Sequence, residues 1–123
     1  MALIHTIQLF KNKSLAGGES GTSQVIDLRN LAEVGNFALA FRSAAGTAGT
    51  AGTTIFSYTQ CSERGGTYLT PSAGYAIGTA GTGVTDDIVA FSPVMSPFMK
   101  VIATQTGIAS GKDSKVSAEL IVR

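Results

Sequence analysis

"NFALAFRS", residues 36–43, alternates without a break, with Phe37, Leu39 and Phe41 on one side and Ala38, Ala40 and Arg42 on the other. A period of two is that of a β-strand with one face on a core and the other turned outward. "TTIFSYTQCS" (53–62) repeats it, setting Phe56, Tyr58 and Gln60 against Ile55, Ser57, Thr59 and Cys61. "KVSAELIVR" (115–123) does so again, with Val116, Ala118, Leu120 and Val122 alternating with Ser117, Glu119 and Ile121. Working outward, "LIHTIQLF" (3–10) places Leu3, His5, Ile7 and Leu9 on one face, and "SQVIDL" (23–28) sets Gln24, Ile26 and Leu28 against Val25 and Asp27. "DIVAF" (87–91) and "FMKVIAT" (98–104) are two further strands. One more near "GTYLT" (66–70) or "GYAI" (74–77) brings the number to about eight.

Segments rich in Gly, Ser, Asp and Pro separate these strands: "AGGESGTS" (16–23), "ERGGT" (63–67), "TPSAG" (70–74) and "GIASGKDS" (107–114). The one helical candidate is "DLRNLAEVG" (27–35), where Leu28, Leu31 and Ala32 could face the core and Gly35 close the turn. "SPVMSPF" (92–98) carries two prolines and reads as a bend, bulge or edge, since proline cannot donate to a ladder. The loops expected at 11–22, 43–53 and 78–86 are too long for the tight hairpins of an up-and-down barrel. The reading is therefore all-β: a single domain over 1–123, a β-sandwich of about eight short antiparallel strands, arranged as a jelly roll.

The 123 residues suffice for one real core. Apolar residues make up 44%, yet no run approaches the roughly 18 that a membrane-spanning helix needs. Nine basic against eight acidic residues leave a net charge of +1, which argues for neither nucleic acid nor an anionic membrane as partner. A surface with only 14% charged residues is better suited to being covered by neighbours than to standing bare in water. The basic residues of "MALIHTIQLFKNK" follow its apolar stretch, so it reads as a strand and not a signal peptide. The single Cys61 excludes an internal disulfide framework and points to synthesis in a reducing compartment. "NKS" at Asn12 fits the glycosylation triplet without a secretory context.

Catalytic patterns are missing. His5 is the only histidine and sits on an apolar strand face, G-x-S-x-G does not occur, and Cys61 has no basic sequence neighbour to activate it. "GIASGKDS" has three residues between its glycines where a phosphate loop needs four, and Asp113 after Lys112 would repel a phosphate. One His and one Cys cannot build a zinc site. Calcium near 81–87 would require Asp86 and Asp87 to lie in a loop, because on a strand they point to opposite faces. A sugar platform could be formed by Tyr58, Tyr68 and Tyr75, with Arg64 and Gln60 donating hydrogen bonds. The expectation is a non-enzymatic protein with no cofactor and no resident metal.

"SAAGTAGTAGTT" (43–54) and "IGTAGTGVTDD" (77–87) share the letters GTAGT. Short uncharged side chains desolvate easily and let a backbone lie close to a partner. Gly46, Thr47, Gly49, Thr50, Gly52, Thr53, Thr79, Gly81 and Thr82 are therefore the candidate partner-docking residues.

From "VIDL" (25–28) onward the chain resembles the jelly-roll decoration, or cement, proteins of tailed bacteriophage capsids. The resemblance is carried by "GNFALAFRS", "GTTIFSYTQCSERGGTY", "FSPVMSPFMKVIAT" and "VSAELIVR". It implies a virion structural protein made in the bacterial cytoplasm that sits on the capsid exterior. Such a protein would oligomerise as a dimer or trimer and bridge subunits of the major capsid protein, or of another large assembly. It carries no catalytic residues to transfer. The rival reading is a carbohydrate- or receptor-binding sandwich module of a phage or bacterial surface structure.

Overall fold

The computed structural model describes residues 3–29, 31, 35–46, 52–72, 76–81, 85–93, 96–107 and 112–123. Nine strands occur among them: β1 (His5–Ala16), β2 (Ser20–Thr22), β3 (Ile26–Asp27), β4 (Phe37–Ala45), β5 (Thr54–Cys61), β6 (Ala76–Ala80), β7 (Thr85–Phe91), β8 (Phe98–Gln105) and β9 (Asp113–Val122). All pairings are antiparallel, and no helix occurs among the described residues. Sheet I has the order β1-β9-β4-β7, and sheet II the order β2-β8-β5-β6 with β3 also on β8. The protein is a β-sandwich.

The alternation read from the sequence is what builds its core. Leu39, Phe41, Val116, Ala118, Leu120 and Val122 face inward from sheet I; Phe56, Tyr58, Met99, Val101 and Ala103 face them from sheet II. The Phe41 and Phe56 rings meet across the sheets at 4.6 Å between centroids. Burying each large apolar side chain is worth about 1.5–3 kcal/mol, which ties the two sheets together.

Several expected loops are shorter than the sequence suggested. Only Gly17–Glu19 remains of the one at 11–22, because β1 runs on to Ala16 and β2 follows. Two register shifts, between Gln8 and Phe10 and between Phe10 and Lys13, bury Leu9 and Phe10 in succession and later return Leu15 to the core. Asn12 takes a left-handed φ of 50° within this irregular stretch. The polar "KNKS" looked like loop because it lies exposed on an edge strand. Likewise β4 extends to Ala45, β6 occupies Ala76–Ala80, and β7 begins at Thr85, so the segments at 43–53 and 78–86 are partly strand.

Over 27–35 the described residues hold the end of β3 and one turn, with Leu31 N donating to Leu28 O at 3.2 Å. Leu28 is buried and Leu31 packs on the core as expected; Gly35 sits at φ 85°, and Ala32 lies outside the described residues. "GTYLT" contributes only a single bridge, Leu69 with Gln60.

Candidate functional site

Antiparallel winding gathers four connections at one end of the sandwich. β1, β4, β6 and β8 finish there, and β2, β5, β7 and β9 start there, as the pairs Ala16 with Asp113, Ala45 with Ser114, and Thr54 with both Ala80 and Gln105 require. The segments after Ala16, Ala45, Ala80 and Gln105 are the glycine-rich ones. Backbone hydrogen bonds lash them together: Gly17 N to Lys112 O at 3.2 Å, Gly18 N to Gln105 O at 3.0 Å, Gly46 N to Asp113 O at 2.9 Å and Thr106 N to Thr53 O at 2.8 Å.

Beneath them lies a small buried polar knot. The fully buried Gln105 donates through Nε2 to Leu15 O at 2.5 Å and to Ser114 Oγ at 3.1 Å. Gly52 N donates to the same Ser114 Oγ at 3.0 Å. A Cβ on Gly52 would run into the Gln105 amide, and one on Gly46 into the Asp113 carboxylate. These two glycines are therefore fixed by close approach inside their own chain. Thr53 anchors the β8–β9 connection through its carbonyl, which also accepts from Thr106 Oγ1 at 3.3 Å. Thr79 is exposed on β6 opposite Ile55, and Gly81 O accepts from Thr85 Oγ1 at 3.4 Å. Thr47, Gly49, Thr50 and Thr82 lie outside the described residues. Gly46, Gly52 and Thr53 of the first segment and Thr79 and Gly81 of the second, some thirty residues apart in sequence, thus lie at one end of the sandwich.

The rival chemistries find little support in the geometry. Asp86 and Asp87 both sit on β7, where alternation turns them apart; Asp86 pairs with Arg42 at 3.5 Å, and Asp87 Oδ1 accepts from Ile88 N at 2.8 Å. Among the described residues no group of three or more His, Cys, Asp or Glu is placed to hold a metal ion. Tyr58 is only 1% exposed, inside the core, so it shares no surface with Tyr68; Tyr75 lies outside the described residues. Gln60 is buried too, and Lys100 Nζ lies 4.2 Å over the Tyr68 ring. His5 is half-buried at the start of β1, opposite Val122.

One cluster was not foreseen. Phe98 is buried on the outer side of sheet II, and not in the core between the sheets. The Arg29 and Arg64 guanidinium carbons stand 5.0 and 5.6 Å from its ring centroid. Asp27 binds Arg29 at 2.8 Å and Arg64 at 3.8 Å. Hydrogen bonds from the Arg29 side chain, then from its backbone N–H, hold the Asp27 carboxyl down at about 2. Tyr68 OH donates to Arg64 O at 2.8 Å within the 62–69 segment, and Arg64 over Phe98 and Lys100 over Tyr68 hold that segment against this face. The cluster acts as a clasp. "DLR" contained the ion pair, but nothing in the strand pattern told that Phe98 would face outward.

No protein-family model matches the chain, and comparison with curated proteins likewise finds no match.

Proposed function

We propose that this chain is a non-enzymatic structural protein, a decoration or cement protein of a tailed-bacteriophage capsid. It would sit on the virion exterior, oligomerise and bridge major-capsid subunits. The described ends of the two GTAGT-bearing segments, Gly46, Gly52, Thr53, Thr79 and Gly81, lie at one end of the sandwich and carry this reading: small, uncharged residues gathered there offer several weak contacts at once, and multivalent attachment multiplies modest affinities.

The strand order favours a jelly roll. With β2 and β3 counted as one interrupted edge strand, first pairs with last, second with seventh, third with sixth and fourth with fifth. That nesting is a long hairpin rolled into two four-stranded layers, an arrangement that recurs in viral capsid and lectin domains.

The triple variant Thr47→Asp/Thr50→Asp/Thr82→Asp tests the docking role, since burying three carboxylates at an apolar contact is costly. Co-sedimentation with shells of the virus that carries the gene should fall at least about tenfold, with an unchanged circular dichroism spectrum. Undiminished attachment by the folded variant would remove these three threonines from the contact.

A further inference from the structure

On the outer face of sheet II the chain leaves β5 at Cys61, arches through residues 62–68 and comes back at Leu69. Gln60 and Leu69 close the base of this loop with two backbone hydrogen bonds, Gln60 N to Leu69 O at 2.9 Å and Leu69 N to Gln60 O at 2.8 Å. A short loop with paired ends that packs on its own side chains is an Ω-loop. Three hydrogen bonds brace it from within: Glu63 N to Cys61 Sγ at 3.4 Å, Gly66 N to Glu63 O at 3.1 Å and Tyr68 OH to Arg64 O at 2.8 Å.

Its hold on the sheet is of another kind. None of residues 62–68 is buried, so the loop adds nothing to the core. The ties that fasten it are side-chain contacts: Arg64 over the Phe98 ring at 5.6 Å, Arg64 beside Asp27 at 3.8 Å, and Lys100 Nζ over the Tyr68 ring at 4.2 Å. The Arg64 side chain is 61% exposed, and exposed ties of these types each shift an equilibrium only about two- to fivefold. A depression of about 350 Å³ adjoins the base along Cys61, Ser62 and Leu69, so the chain is not packed in on that side.

The loop also covers two groups. Cys61 and Phe98 are cross-strand partners on β5 and β8. A Cβ on Gly66 would lie 2.6 Å from Cys61 Sγ, which sets the Gly66 backbone directly on the thiol. Phe98 is only 6% exposed although it stands on the outer face, because Arg29 and Arg64 close over its ring.

We propose that residues 62–68 form a lid on the outer face of sheet II, hinged at the Gln60–Leu69 bridge, which swings as a unit and controls access to Phe98 and to the Cys61 thiol. A loop tied firmly within itself and weakly to its seat moves whole before it unravels. Loss of one tie raises the open population a few-fold, and loss of two multiplies the effect. Opened, the lid leaves an aromatic ring beside the Arg29 cation, a seat unlike the glycine-rich end in both place and chemistry. The inference goes beyond the proposed function and does not depend on it.

Cys61 is the only cysteine, so its reaction with the neutral disulfide dithiodipyridine, which forms a mixed disulfide and releases one thiopyridone, reads the open state. In the folded parent the thiol should react at least about tenfold more slowly than in the chain unfolded in urea. Arg64→Gln and Lys100→Gln should each speed the reaction about two- to fivefold, and the double variant about five- to twentyfold, with urea midpoints unchanged. Rates are compared per thiolate, so a change in the acidity of the thiol does not count as opening. Lys11→Gln, which removes an exposed cation from the β1 edge of sheet I, should leave the rate as it was. A folded thiol as reactive as the unfolded one, either single variant with an unaltered rate, or rates that rise only in step with a falling urea midpoint overturns the lid. Should Arg64→Gln misfold, Lys100→Gln decides alone.

Discussion

At the scale of residues, two glycines with the same sequence setting have different jobs. Gly52 packs against the buried Gln105 amide, while a Cβ on Gly81 would meet nothing within 4 Å. Gly52→Ala should therefore cost about 1–3 kcal/mol, by forcing Gln105 off its partners Leu15 O and Ser114 Oγ. Gly81→Ala should stay within about 0.5 kcal/mol. Equal urea midpoints for the two variants would refute the packing account. Asp27 makes a second prediction. Its carboxyl lies at about 2, below its ordinary 3.8, so its ion pair stabilises the fold above the unfolded value and loses that effect as pH falls towards 2. The melting temperature of Asp27→Asn should lie below that of the parent at pH 5–7, and the gap should close between about pH 4 and 2. A gap that persists unchanged at pH 2 would mean that Asp27 acts by something other than its charge. The role of Gly52 was not legible in the chain, because a close approach between residues 52 and 105 depends on where the chain returns, whereas "DLR" already held the Asp27–Arg29 pair.

At the scale of elements, legibility follows burial. β4, β5 and β9 each have a core side and an outer side, and their alternation stood plainly in the sequence. β1 beyond Phe10 belongs to an edge strand and is mostly exposed, so no apolar period marks it as strand, and β7, the other edge, was legible over 87–91 but not at its exposed start. β6 is built of Ala, Ile, Gly and Thr, which resemble loop composition. Asn12 is the residue by which β1 absorbs its irregularity, at φ 50°. Asn12→Gly should leave stability within about 0.5 kcal/mol, whereas Asn12→Ile should cost about 1–2 kcal/mol, because a β-branched side chain resists the left-handed region. Equilibrium unfolding in urea would measure both; an isoleucine tolerated as well as glycine would show that the bulge relaxes to ordinary strand geometry.

At the scale of the whole molecule, the sandwich class was readable but the order of its strands was not. Alternation tells that a strand is half-buried; it does not tell that β9 lies between β1 and β4, more than a hundred residues from the start of the one and about seventy from the other. For the same reason the candidate docking residues were legible as a composition and not as a place. The shared end of the described ones, Gly46, Gly52, Thr53, Thr79 and Gly81, arises from the winding. The winding also leaves His5 beside Val122 at the opposite end, and β9 spans about 30 Å between the two. A peptide or enzyme genetically fused ahead of His5 or beyond Arg123 would thus project away from the glycine-rich end and leave that end uncovered.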